Sequence, residues 1–159
     1  MATLVRMAKP RDAEAVRRVG DEAFAAVRWV YRPNAAAYAN LSAIAPALER
    51  LVAEDDGQVV GTVRFGVSGD CLRVIGLAVL PQFQRRGVAR ALVDELARIA
   101  KTKGCRALAL YTVTQTGNVP VFERLGFSLI SQSPDQYSIS MTGEPLTEAY
   151  MEQSVPLPV

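Results

Sequence analysis

An α/β fold built on a mixed sheet is predicted for this chain of 159 residues, on three observations. A strand-like run at Val74–Leu80 is followed by an apolar-periodic helix at Arg90–Lys103 and a second apolar strand at Ala107–Val113. Strands joined through such a helix must lie parallel, because only a long crossover returns the chain to the same end of the sheet. Polar turns at Asp55–Gln58 and Ser68–Asp70 join their strands as antiparallel hairpins instead. Third, the length suits one domain with a real core, and neither an internal repeat nor a domain boundary interrupts it.

In order, Leu4–Met7 reads as a short first strand. Pro10 and Asp12 mark a helix start. Ala15, Val16, Val19, Ala23, Phe24 and Val27 follow at helical spacing, with Gly20 weakening the pattern. Tyr31-Arg32-Pro33-Asn34 reads as a breaker. Ala35–Arg50 is Ala-rich and helical, with an interruption at Pro46. Leu51–Glu54, Val59–Val67 and Cys71–Leu80 are three hairpin-linked strands. In the helix Arg90–Lys103, the residues Ala91, Leu92, Leu96, Ile99 and Ala100 face inward, and Gly104 ends it. Val119–Leu125 is a short helix closed by Gly126, and Phe127–Ser131 and Tyr137–Met141 are two last strands. From Thr142 the chain reads as irregular, ending in the tail Val155–Val159. The predicted order is β-α-α-β-β-β-α-β-α-β-β, with helices on both faces of the sheet.

Composition removes several functions. Half the residues are hydrophobic and the net charge is +2, so no nucleic-acid footprint is expected. No apolar run is long enough to span a bilayer and no signal-peptide core follows Met1, so a cytoplasmic location is expected. Histidine is absent, which removes Ser-His-Asp and Cys-His schemes and every His-based general base. Cys71 and Cys105 are too few for a disulfide framework and, without histidine, cannot make a structural zinc site; no metal is expected.

The informative segment is Pro81–Arg90. A strand feeding a small-residue loop that opens a helix presents unpaired amides at one point, and the helix dipole favours an anion there. Gln84, Arg85, Arg86 and Arg90 crowd the same turn. The loop is neither a G-x-G-x-x-G nor a Walker A sequence. The plain alternative is a strain-relieving glycine among solvated arginines.

Gln84-Arg85-Arg86-Gly87-Val88-Ala89 resembles the [QR]-x-x-G-x-[GA] signature of the GCN5-related N-acetyltransferases (GNAT family), and Leu77-x-Val79-x-Pro81 is similar to the strand before it. Asn118 to Phe127 is similar to that family's N-x-x-x-[YF]-x-x-[LM]-G-F signature. The resemblance implies the acyl-CoA N-acyltransferase fold and acetyl-CoA as cosubstrate. It implies pyrophosphate on the amides of Arg86, Gly87, Val88 and Ala89, flanked by Gln84, Arg85 and Arg90. It also implies pantetheine pairing along Leu77, Ala78 and Val79, a splay between this strand and Ala107–Val113, and Val79 N–H as oxyanion donor. Asn118 would bond the pantetheine or a nearby water; the alternative is an Asx turn or helix cap. Phe122 departs from the pattern: many members carry a Tyr there that protonates the leaving thiolate. Its simpler role is core packing, and Tyr111, the nearest hydroxyl, reads as a strand-packing aromatic.

No general base is evident. Arg73 stands on the strand where the family often has a Glu. Glu54, Asp55, Asp56 and Asp70 read mostly as solvated turn charges, and a water chain is an alternative. Both cysteines read as buried or inert. Phe24, Trp29, Tyr31, Tyr38 and the Gln132–Gln136 loop are candidates for the acceptor wall, although helically spaced aromatics are more often core. The resemblance implies direct transfer of an acetyl group to a primary amine of a small molecule or peptide. The alternative function is a non-catalytic acyl-CoA-binding or regulatory module, and a homodimer is left open.

Overall fold

The structure is a computed structural model that describes residues 3–156. Met1, Ala2 and the last residues of the expected tail, Leu157–Val159, lie outside the described residues.

The first hairpins form as their turns dictate. Strand β3 (Glu49–Asp55) returns as β4 (Gln58–Ser68) through Asp56 and Gly57, with φ of 54° and 79°. Two left-handed residues make the two-residue turn whose twist matches antiparallel strands. β4 pairs antiparallel with β5 (Cys71–Val79), and β1 (Leu4–Met7) adds to the other edge of β3. Helix α3 (Val88–Thr102) carries the chain across to β6 (Ala107–Val113), which lies parallel to β5 as the crossover requires.

The sheet order is β1-β3-β4-β5-β6-β9-β7, where β7 is Ser128–Pro134 and β9 is Thr147–Ser154. Strand β9 corrects the expectation that the chain is irregular from Thr142. Ala149 and Met151 are fully buried, while Glu148, Tyr150 and Glu152 point to the other face. That is period-two alternation, masked by two glutamates that lower strand propensity. Arg106 secures Glu152 at 3.0 and 3.1 Å and Asp70 at 2.8 Å, tying β9 to β5 and β6.

Three further boundaries differ from expectation. Tyr31–Pro33 is not a plain breaker but a short strand, β2, which pairs antiparallel with β8 (Ser138–Ser140) outside the main sheet. Helix α2 (Ala35–Ile44) stops well short of Arg50, because Pro46 has no amide proton to continue it; Arg50 belongs to β3. Helix α3 begins at Val88 rather than Arg90.

Helix α1 (Ala13–Phe24) buries Val19 completely, and α3 buries Val88, Leu92, Val93, Leu96 and Ala100. Each fully buried leucine of α3 contributes about 2–3 kcal/mol of apolar burial. Helix α4 (Asn118–Arg124) leads into β7. Gly61 of β4 sets the seat of α3: a Cβ there would lie 2.9 Å from Val88 Cγ1 and 3.2 Å from Leu92 Cδ1. The missing side chain lets the start of α3 press against the sheet.

Candidate active site

The site begins with a pairing that stops. β5 and β6 share rungs at Cys71–Ala107, Leu72–Leu108 and Arg73–Ala109, and beyond Arg73 no further rung joins them. β5 runs on to Val79 bonded to β4 alone, while β6 runs on to Val113 bonded to β9 alone. A wedge therefore opens between two central strands. Its β5 wall carries a bulge: Arg64 pairs Ile75 but Thr62 pairs Ala78, and Gly76 at φ 66° takes up the extra residue. Bulges re-aim a strand beside functional sites. The only signal of this bulge in sequence is a lone glycine inside an apolar strand.

Leu80 N–H donates to Val60 C=O on β4 at 2.8 Å. Alternation along the strand then turns the Val79 N–H away from β4, toward the wedge. Gln84 Nε2 donates to the Val79 C=O at 3.1 Å, so the loop is fastened to the same residue.

The loop itself is a concave run of backbone. Pro81–Phe83 is a single 3-10 turn, Arg85 has φ 61° and Gly87 has φ 83°. Left-handed residues interspersed in such a loop gather successive amides on one side. Gly87 is the N-cap of α3, no side chain caps that end, and no acidic residue occupies the first turn. Val88, Ala89 and Arg90 thus begin a helix with amides that lack intrahelical partners. A Cβ at Gly87 would meet nothing within 4 Å, so the space above it is open. Arg85 and Arg86 are exposed, and the Arg86 guanidinium lies 5.3 Å from the Phe83 ring. Arg90 turns elsewhere, its Nη2 donating to the Arg124 carbonyl at the end of α4.

Asn118 is the first residue of α4, where Gly117 is the cap and no side-chain cap bond forms. The Asn118 amide donates to Thr116 Oγ1 at 3.3 Å. Phe122 packs edge-on to Phe127, with ring centroids 5.9 Å apart, against the main core. Tyr111 departs from the packing role: it is half exposed, beside Tyr150 with centroids 4.9 Å apart.

On the α2 side of the wedge lies a cavity of about 380 Å³. It is walled by α2, Arg73, Ile75, Tyr111, Tyr137 and Glu148. A wider groove of about 760 Å³ runs along α1, but its Arg6, Asp12 and Glu54 are consumed in a mutual ion network.

The GNAT acetyltransferase family model matches residues 14–127. The chain is a member of that family. Its fold is shared with the ribosomal-protein-S18-alanine N-acetyltransferase of Escherichia coli, at TM-score 0.75 and 18% identity over 99% of this chain and 97% of that one. It is shared likewise with yncA of Salmonella typhimurium, solved with acetyl-CoA, at 0.73 and 20% over 100% and 97%. A third similar structure is the paia N-acetyltransferase of Thermoplasma acidophilum in complex with coenzyme A, at 0.72 and 16% over 97% and 99%.

Several residues of this acetyltransferase fall away from the expected acceptor wall. Trp29 and Tyr38 are exposed and Phe24 packs against the core, while Tyr111 and Tyr137 take the aromatic positions in the cavity. Glu54 is bound to Arg6 and Asp70 to Arg106, Asp55 is the last residue of β3, and Asp56 sits in an exposed turn. Glu148 was missed because its strand was missed. Burial and the nearby Asp135 push its carboxyl above the ordinary carboxylate value, against the pull of Arg73. Cys71 and Cys105 are buried and free, and burial pushes the Cys71 thiol up. No helix among the described residues is long and apolar enough to cross a membrane.

Proposed function

We propose that this acetyltransferase transfers an acetyl group from acetyl-CoA to a primary amine of a small molecule or peptide by direct attack. The observation that carries it is the wedge between β5 and β6 opening beside an uncapped α3 N-terminus. The residues present fit acetyl-CoA. The amides of Arg86, Gly87, Val88 and Ala89 receive the pyrophosphate, with the exposed Arg85 and Arg86 side chains beside it, while Arg90 and Gln84 brace the loop through the Arg124 and Val79 carbonyls. The open space at Gly87 and the absence of any carboxylate in the first turn favour an anion there. The main chain of Leu77, Ala78 and Val79 lines the wedge where a pantetheine arm adds as a strand, with Asn118 and Phe122 on its far side. Bound acetyl-CoA supplies the activated thioester.

The Val79 N–H, turned into the wedge, is the donor for the developing oxyanion. One such donor lowers the barrier by about 3–4 kcal/mol. The Gln84 carboxamide holds the adjoining Val79–Leu80 peptide unit through the Val79 carbonyl. Phe122 offers no proton, so water protonates the leaving sulfur. A cytoplasmic setting belongs to this reading and is supported by two free, buried cysteines.

The test is coenzyme A release from acetyl-CoA across a panel of amines, read with a thiol reagent. Turnover with any amine is expected. Tight acetyl-CoA binding without release for every amine would leave a non-catalytic acyl-CoA-binding module instead.

A further inference from the structure

The cavity beside the wedge carries an unusual charge arrangement. Ile75 and Tyr111 each stand two residues past the last β5–β6 rung, so the cavity opens onto the wedge. The Arg73 guanidinium lies 5.2 Å from the Tyr111 ring, and among the described residues no carboxylate is ion-paired with it. Behind Ile75, Arg64 is its direct cross-strand partner, and Arg50 is the direct partner of Arg64. Like charges opposed across strands are destabilising. Arg50 is half-buried, its charge disfavoured by burial and by Arg64, and it donates to the neutral Thr62 hydroxyl at 2.8 Å. Facing these cations, the cavity wall offers one carboxylate, Glu148, with Tyr111 and Tyr137 around it and Asp135 nearby.

We propose that the acceptor is a small zwitterion, a primary amine carrying its own oxyanion, with its ammonium at Glu148 and its oxyanion at Arg73. This rests on the acetyltransferase reading and narrows it. A carboxylate or a phospho group supplies the same oxyanion chemistry, and Arg64 and Arg50 add positive potential behind Arg73. A polyamine would meet the Arg73 guanidinium, with Arg64 and Arg50 behind it. A cavity of about 380 Å³ lies near the lower end of ligand sites, about 300–1,000 Å³, and fits a small molecule better than a peptide chain.

The proton balance is then defined. The bound ammonium gives one proton to the Glu148 carboxylate. The freed nitrogen forms the C–N bond to the acetyl carbon as the C–S bond breaks. The second nitrogen proton passes through water to the leaving sulfur, and Glu148 returns its proton to solvent. A carboxyl whose affinity for protons is raised by burial suits the acceptor end of this transfer.

The experiment uses the full chain. Acetyl-CoA binding is measured first by calorimetry. Coenzyme A release is then measured for α-, β- and γ-amino acids and aminoalkylphosphonates, each matched to the amine lacking the acid group. Binding of the same panel to the coenzyme A complex is titrated in parallel. At least one zwitterion is expected to exceed its matched amine about tenfold or more in kcat/KM, as for a site built to bond a group its analogue lacks. Arg73→Ala, and Arg73→Gln as a check on folding, should raise KM for that zwitterion about tenfold while the matched amine changes little. Glu148→Gln should lower kcat and remove the acidic limb of the pH–rate profile, with Glu148→Asp restoring part of both. A preference for matched amines or polyamines, equal effects of Arg73→Ala on both classes, or no zwitterion bound to the coenzyme A complex overturns the assignment. Failure to bind acetyl-CoA at the outset strikes the acetyltransferase reading itself.

Discussion

Asp12 is almost fully buried at the start of α1 and accepts three hydrogen bonds, two from Arg6 at 2.8 and 3.0 Å and one from the Lys9 amide at 2.7 Å. Arg6 first, then that amide, hold the Asp12 carboxyl well below its ordinary value of 3.8, against the opposing effect of burial. The native state therefore resists a proton that the unfolded chain accepts. The stabilisation is complete above the ordinary carboxylate range and drains away as the pH falls below about 3.8. Asp12→Asn should cost about 2 kcal/mol in denaturant unfolding near neutral pH, and the deficit should shrink when unfolding is repeated below pH 3.8. At this scale the Pro81–Arg90 loop was legible, because Gly87 and the residues around it are contiguous. Glu148 was not, since its meaning depends on Arg73 and Tyr111, which reach it from other strands.

Among elements, α3 and the sheet beneath it form one device. Gly61 allows Val88, the first residue of α3, to sit against β4. Gly61→Val forces branched carbons into a packed, buried contact, and should lower stability by about 1–3 kcal/mol. It should also weaken acetyl-CoA binding, because the loop amides move with the helix end; calorimetry and unfolding on one preparation check both. Helix α3 was legible because Leu92, Leu96 and Ala100 repeat at its period. Strand β9 hid because its buried side is only Ala149 and Met151, while its other side carries two glutamates, of which Glu152 is neutralised by Arg106 from elsewhere. Strand β2 hid for a related reason: three residues ending in Pro33 gain strand character only from β8, over a hundred positions on.

In the whole molecule, the C-terminal segment completes the sheet. β9 lies between β6 and β7 and is the partner that holds β7. Truncation after Met141 removes β9, bares the edge of β6 and leaves β7 unpaired; the product should be insoluble or aggregate on size-exclusion chromatography, since unpaired edges template association. The mixed topology was legible from one crossover and two turns, and the position of β9 was not, because nothing local records which edge a strand joins. All of this architecture converges on one point, the amides at the head of α3 beside the wedge. Calorimetric titration of acetyl-CoA into the wild-type protein and into Gly87→Glu tests that point most directly. Saturable binding to the wild type, lost in Gly87→Glu with folding retained by circular dichroism, is expected, because the new carboxylate fills the space above residue 87 and repels the diphosphate. Undiminished affinity in Gly87→Glu, or no binding to the wild type, would contradict it.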